Sequence, residues 1–272
     1  MFADLHLHTT FSDGLDNPSR VVERAKNIGI AMIAITDHDT VDGISEAQAA
    51  ARRFSVDFLA GTEISCTFDR AEVHVVGLGV DPASVALRDA LDRLKQGRLE
   101  RATRIIEKLR HKGIEIALDR LLVQPGVIGR MNIARAIWEL GEAKTVQHAF
   151  DKFLKPGKPA YAPQFRLTCE EALAAIQGAG GLAFIAHPGI GGASRRLPSL
   201  LQYPFDGIEA YHSKHSPGMT DALVQLARER NLLVSGGSDC HGETAGKAEM
   251  GRVRVPWEFV ERIREALRHR RA

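Results

Sequence analysis

The residues of this chain best suited to chemistry are imidazoles and carboxylates in short, ordered stretches. The first is "FADLHLHTTFSDG", Phe2 to Gly14. Side chains alternate along a strand, so Ala3, Leu5 and Leu7 point one way while Asp4, His6 and His8 point the other. Two imidazoles at i and i+2 stand side by side, close enough to share a ligand, and Asp13 follows in the turn. Alone, the pattern also suits a polar edge strand. The other stretches decide between the readings: His38 in "AITDHD", Glu63 in "AGTEIS", His74 in "AEVHVVG", His187 in "AFIAHPG", and Asp239 with His241 in "SGGSDCH". Imidazole plus carboxylate without cysteine is a ligand set for Zn²⁺, Mn²⁺ or Fe²⁺. Nine such groups are too many for one ion, whereas two or three ions sharing a bridging carboxylate would use them. His111, His148 and His269 lie outside these stretches and read as structural.

Ligands spread over most of the chain can meet only if the fold gathers them. Short apolar runs at Phe2–His8, Ala31–Thr36, Asp57–Ile64, Glu72–Leu78, Leu182–Ala186, Gly207–Tyr211 and Leu232–Gly236 read as strands. They alternate with helical patterns, the signature of a parallel α/β fold. In a parallel barrel the C-terminal strand ends converge on one mouth, and each of these seven runs delivers His, Asp or Glu near its end. Asn17-Pro18 caps one helix, "TCEE" at Thr168 is a capping box for another, and "WEFVERIREALRHRR" is a final amphipathic helix with its cations at the C-terminal end. From about residue 84 to 160 the alternation stops. Ser84–Gly113 reads as a long helical stretch that Gly97 could interrupt, and "MNIARAIWELG" and "TVQHAFDKFL" read as shorter helices. The expected organisation is a barrel domain from residues 1–97 and 161–272, with a helical insert at 98–160.

Bulk properties narrow the setting. The chain has 272 residues, 44% apolar and 26% charged, as expected for a soluble globular protein. No apolar run approaches the ~20 residues that span a membrane, and no signal sequence is recognisable. Cys66, Cys169 and Cys240 lack CxxC spacing, which suggests free thiols in a reducing cytoplasm. Net charge is +2, but residues 98–158 hold 13 Lys/Arg against 7 Asp/Glu, leaving this segment at +6 and the remainder at −4. A basic segment beside a more acidic body suggests an anionic ligand between them; a solvated helical face is the plainer alternative.

"HLHTTFSDG", "TDHD", "GTEIS", "AHP" and "GSDCH", in this order, resemble the signature of the PHP (polymerase and histidinol phosphatase) metallophosphoesterases. The resemblance covers the chain apart from the insert. It implies a distorted seven-stranded (β/α)7 barrel with a trinuclear metal centre. One ion would be held by His6, His8, Glu63 and Asp239, a second by bridging Glu63 with His74 and His187, and a third by Asp13, His38 and His241. Many members of the family have histidine where this chain has Asp13, and a carboxylate there favours Mn²⁺ over Zn²⁺. "GRMNIARAIWELG", "FLKPGKPAYAP" and "IEAYHSKHS" resemble the nucleotide-directed, TrpH-like and RNase AM-like branch. That resemblance implies release of phosphate from 3′,5′-nucleoside bisphosphates, or trimming of short 5′-phosphorylated oligonucleotides.

A hydroxide bridging two ions would then be the nucleophile. His212, at the end of the sixth strand and outside the nine ligands, is the candidate acid or phosphate contact, with packing beside Tyr211 as the alternative. Arg130 and Lys158 flank the shorter helices of the insert and could grip a phosphate, with Arg195, Lys214 and His215 as further candidates. Histidinol-phosphate phosphatase shares the metal motifs, but its substrate has a cationic head that a basic insert would repel. A non-catalytic metal-binding module is the alternative from another class. No helix-turn-helix or zinc finger is recognisable, so sequence-specific nucleic-acid binding is not expected.

Overall fold

The computed structural model describes residues 1–122, 126–242 and 250–271. The first part forms β1 (Phe2–Leu7), α1 (Pro18–Ile28), β2 (Met32–Ile35), α2 (Ile44–Phe54), β3 (Asp57–Phe68) and β4 (Ala71–Leu78). Helices follow: α3 (Val85–Arg110), α4 (Leu118–Leu122), α5 (Arg130–Glu139) and α6 (Val146–Ala149), the last continued by a π-helical turn, Phe150–Leu154. The chain then returns through β5 (Leu167–Thr168), α7 (Cys169–Gly178), β6 (Leu182–Ile185), α8 (Gly191–Leu200), β7 (Gly207–His212), α9 (Pro217–Glu229), β8 (Leu233–Gly237), β9 (Val255–Pro256) and α10 (Trp257–Arg271). The expected caps form: Asn17 Oδ1 accepts from Arg20 N–H at 2.8 Å, and Thr168 and Glu171 cap one another reciprocally.

The seven expected strands are present, with the two-residue β5 and β9 in addition. Sheet order is β8-β7-β6-β4-β3-β2-β1-β9, with β5 paired to β3. The barrel nearly closes because the chain leaving β8 meets β1: Asp239 N–H donates to the His6 carbonyl and His8 N–H to the Cys240 carbonyl, both at 3.0 Å. A Cβ on Gly237 would lie 2.4 Å from the His6 Cβ, so glycine permits this approach.

The strands are not all parallel, as the alternation suggested. β1, β2 and β3 run together, as do β6, β7 and β8, but β4 is antiparallel to both β3 and β6. The cause is local. Only Asp69 and Arg70 separate β3 from β4, at φ 46° and 61°, and positive φ at both central residues defines the hairpin turn whose twist matches its strands. A parallel return needs a crossover of about a dozen residues. The beginning of β4, rather than its end, therefore faces the mouth.

Outward side chains of the sheet, among them Leu5, Leu7, Ile33 and Ile35, pack against Val22 of α1, Ala47 of α2 and Ile263 of α10 in one apolar cluster. A second cluster runs from Ala102 to Ala162. Helix α3, roughly 40 Å long at 1.5 Å per residue, serves both: Leu87, Leu91 and Leu94 join the first, and Ala102, Ile105 and Leu109 the second. Gly97 does not interrupt it. A Cβ there would come 2.7 Å from the Cβ of Phe165, so glycine makes room for the returning chain. The 97/98 boundary thus falls inside one continuous helix.

Candidate metal centre

The ligand types reach the mouth through ordinary strand geometry followed by unusual turns. His6 and His8 share the inner face at the end of β1. The next residues fold back sharply: Thr9 donates through N–H (2.7 Å) and Oγ1 (2.6 Å) to buried Asp37, Ser12 Oγ donates to the same carboxylate, and Gly14 N–H donates to the Thr9 carbonyl. A Cβ on Gly14 would lie 2.8 Å from the His8 backbone, so glycine lets this loop carry Asp13 back over the strand end. Glu63, Ser65 and His74 share one face, because Ser65 and His74 are direct cross-strand partners. His187 and Asp239 follow β6 and β8 at φ 29° and 56°, and Asp39, after His38, sits at 55°. Non-glycine residues hold such conformations where neighbouring bonds over-determine them. Here His187 N–H donates to Glu209, Asp39 N–H to the Glu63 carbonyl and Asp239 N–H to His6.

Glu63 is the hub. Its Oε2 lies 3.2 Å from His6 Nε2, 3.3 Å from His8 Nε2 and 3.0 Å from His38 Nδ1, and its Oε1 lies 2.8 Å from His74 Nδ1 and 3.0 Å from His187 Nε2. Asp239 Oδ1 is 3.3 Å from His8 Nε2, and Asp13 Oδ1 is 3.1 Å from His241 Nε2. Burial raises the Glu63 pKa, but the imidazoles around it, His38, His74 and His6, outweigh burial and hold its carboxyl well below the usual range. Burial keeps His38 near 4 despite Glu63 and Asp13. For His74, Glu63 and then Glu72 overcome burial and hold the imidazolium up to about 10.

These residues fit metal ions. Glu63 Oε2, Asp13 Oδ1 and His38 Nδ1 are buried without hydrogen-bond partners, though ligand-type atoms surround them. Ligand atoms sharing one ion through bonds of about 2.1 Å lie roughly 3.0–3.4 Å apart, the spacing seen around Glu63. Several imidazoles also donate their other nitrogen outward: His6 Nδ1 to Glu209 (2.9 Å), His241 Nδ1 to the Asp239 carbonyl (2.9 Å) and His74 Nε2 toward Glu72 (3.5 Å). Among the described residues the ligand atoms fall into three overlapping groups: His8, Asp13, His38 and His241; His6, His8 and Glu63; and His38, Glu63 and His74. All nine expected ligands converge on this mouth. His8 and His38 stand between groups, sharing that the family pattern does not include.

The sequence profile of the PHP domain family matches residues 4–124. A 3′,5′-nucleoside bisphosphate phosphatase of Chromobacterium violaceum is 39% identical over 256 residues, covering 91% of this chain and 90% of that protein. The chain belongs to the PHP domain family. The 5′-3′ exoribonuclease Rnm of Salmonella typhimurium is 36% identical, covering 88% of this chain and 84% of its own length. A crystal structure from Bifidobacterium adolescentis, assigned as a metal-dependent phosphoesterase, superposes with a TM-score of 0.88 at 30% identity, covering 97% of this chain and 96% of its own.

Beside the candidate ligand set opens a cavity of about 200 Å³, lined by Asp13, His38 and His74 together with Glu72, Arg98, Arg101, Arg130 and Gln164. A larger cavity of about 750 Å³, near Phe58, Val80 and Arg271, includes none of the nine ligands. Of the basic residues at the smaller one, Arg98 is spent on Asp39, Arg101 donates to the Ala162 carbonyl (2.9 Å) and to Gln164, and Arg166 nearby donates to Glu72 (2.6 Å). Arg130 has no ion-pair partner among the described residues. Its guanidinium lies over the Phe150 ring at 5.1 Å, and burial lowers its pKa, with the Glu72 carboxylate opposing that effect and neighbouring Arg166 and Arg98 adding to it. Gln164 Nε2 and Arg166 Nε are also buried donors without acceptors.

The other candidates separate. Lys214 reaches the rim, its Nζ 3.7 Å from Asp239 Oδ2. His212 is buried, with Nδ1 accepting from Lys214 N–H (3.2 Å) and Nε2 3.4 Å from Asp239 Oδ2. His215 is committed to backbone: Nε2 accepts from Gly189 N–H (3.1 Å) and Nδ1 donates to the Ala210 carbonyl (2.8 Å). Lys158 and Arg195 are exposed and line no wall of this cavity, because Lys158 lies in the turn after the π-helical segment and Arg195 points outward from α8. Sequence reasoning passed over Arg98, Arg101, Gln164 and Glu209. Glu209 did carry a signal, a carboxylate inside the apolar run "GIEAY".

Proposed function

We propose that this PHP-family hydrolase removes a phosphate from 3′,5′-nucleoside bisphosphates, converting 3′-phosphoadenosine 5′-phosphate to AMP and inorganic phosphate. The observation that carries this reading is Arg130, a half-buried guanidinium without an ion-pair partner among the described residues, facing the cavity that Asp13, His38 and His74 share. A metal centre alone cannot tell a mononucleotide from a bisphosphate; a separate anion site in the same cavity can. The name of the Chromobacterium relative points to the same substrates, and that of the Salmonella relative, an exoribonuclease, to RNA.

His6, His8, Glu63, Asp239, His74, His187, Asp13, His38 and His241 would hold two or three divalent ions, for which we favour Mn²⁺ because Asp13 adds a hard oxygen ligand. Bound ions would supply neutralisation of phosphoryl charge and a lowered pKa of water; in the hydrolysis a water oxygen replaces O3′ on phosphorus, and O3′ leaves with a proton that the water gives up. The chain's own residues orient the reactants. Arg130, with Gln164 and Arg166 Nε as further donors, grips the 5′-phosphate, and Phe150 gives the nucleoside an apolar surface. Lys214 meets phosphate at the rim. His212 holds Asp239 in place through Nε2–H. We take the helical segment 98–160 as the part that caps the substrate, and the unpaired cysteines as suiting a cytoplasmic enzyme. Short 5′-phosphorylated oligonucleotides are a second substrate class, because a further cavity of about 390 Å³ shares Val127 as a wall.

The test is a comparison on Mn²⁺-loaded protein. The bisphosphate should exceed AMP by about tenfold or more in kcat/KM, as one charge-assisted contact allows, and histidinol phosphate should be the poorest of the three. Equal efficiency on AMP and the bisphosphate would overturn the assignment.

A further inference from the structure

Glu209, in the middle of β7, belongs to none of the ligand groups, yet it joins two of the nine ligands. It is 1% exposed. Its Oε1 accepts from His6 Nδ1–H at 2.9 Å, and its Oε2 accepts from the backbone N–H of His187 at 2.6 Å. The far sides of the same two residues meet again on Glu63, His6 Nε2 at 3.2 Å and His187 Nε2 at 3.0 Å. Two carboxylates and two histidines thus close a ring, with Glu63 at the cavity end and Glu209 at the core end.

The His187 corner of that ring needs holding. His187 stands at φ 29° and leads into Pro188, a turn the backbone does not adopt unaided. The chain following β7 grips the same turn a second time, because Gly189 N–H donates to His215 Nε2 while His215 Nδ1–H donates to the Ala210 carbonyl. A Cβ on Gly189 would lie 2.7 Å from the His215 ring, so the turn lies flat against it. Glu209 thus holds the turn at His187, and His215 holds it at Gly189.

We propose that Glu209 is a positioning residue that keeps His6 and His187 in register across Glu63, so that the ion positions on the two sides of Glu63 fill together. This rests on the metal reading above. Glu72 offers a contrast, since it faces one ligand only, His74.

The experiment measures Mn²⁺ uptake, by elemental analysis after desalting and by chelator competition, in wild type, Glu209→Gln, Glu209→Asp and Glu72→Gln. Circular dichroism and melting of the metal-free proteins report folding. Glu209→Gln preserves shape but turns an amide N–H₂ toward one of the two donors. It should bind Mn²⁺ about 10- to 100-fold more weakly, as for other carboxylates behind metal-ligating histidines, and lose two equivalents together. Glu72→Gln should loosen one. Should Glu209→Gln not fold, Glu209→Asp carries the test: it keeps the charge but is too short to reach both donors, and should retain one equivalent at most. Wild-type uptake in whichever Glu209 variant folds would overturn the proposal and leave Glu209 a core residue. A wild type that takes up no metal would instead overturn the metal reading.

Discussion

Replacing Arg130 with alanine separates recognition of a second phosphate from the chemistry at the first. In the free protein the guanidinium has two opposing relations. Its position over Phe150, at 5.1 Å, contributes about 0.5–1 kcal/mol. Against that stand burial and the charges of Arg166 and Arg98, which lower its pKa and which the Glu72 carboxylate only partly counters. The two offset, so Arg130→Ala should fold and melt close to wild type. With a nucleotide bound, the balance changes. A phosphate on this wall gains a charge-assisted hydrogen bond worth about 1.5–3 kcal/mol, which is roughly 10- to 150-fold in kcat/KM at about 1.4 kcal/mol per decade. The assay is phosphate release from 3′-phosphoadenosine 5′-phosphate, AMP and p-nitrophenyl phosphate. The expected outcome is loss of most of the bisphosphate preference, while the small ester is hydrolysed at nearly the wild-type rate because its only phosphate sits at the ligand cluster. A variant that kept the full preference would refute the second-anion role. One that lost all three activities equally would place Arg130 in the chemistry itself.

Glu63→Gln should cost more activity than His74→Ala or Asp13→Asn, because Glu63 touches five imidazoles, and excess chelator should abolish wild-type activity until Mn²⁺ is restored; wild-type turnover by Glu63→Gln would refute its place as the hub. Metal uptake should also depend on pH. For His8, Asp239 and Glu63 outweigh burial and hold the imidazolium up to about 10, and His74 is likewise near 10, whereas a metal ligand must be neutral. Protons therefore compete with the ion below pH 10, and Mn²⁺ affinity should rise by up to about tenfold per pH unit for each proton displaced. The same dissociation constant at pH 7 and pH 9 would contradict this.

The gathering of the nine candidate ligands at one mouth was legible because each is written locally, as an imidazole or carboxylate just beyond or within a short apolar run, and strand periodicity alone puts His6 beside His8. The reversal of β4 was legible in principle. Only seven residues separate Ile64 from Glu72, too few for a parallel crossover, but Asp-Arg is not a familiar hairpin turn pair and the regular alternation dominated. The basic insert was harder, since charge counts do not record how each charge is used. Lys108 donates to the Tyr161 carbonyl at 2.5 Å, Arg101 to Ala162 and Arg104 to Pro163 at 3.1 Å, so three cations strap the returning chain along α3. Arg98 is taken by Asp39, Arg120 by Glu139 and Lys155 by Asp151. These partners depend on where the chain comes back across the helix, which no local pattern specifies. The net +6 therefore overstates what is available to a ligand. What remains at the cavity wall, among the described residues, is Arg130, seated on Phe150 and without an ion pair or a hydrogen-bonded partner, so discrimination of a second phosphate should rest on that side chain rather than on the summed charge of the segment.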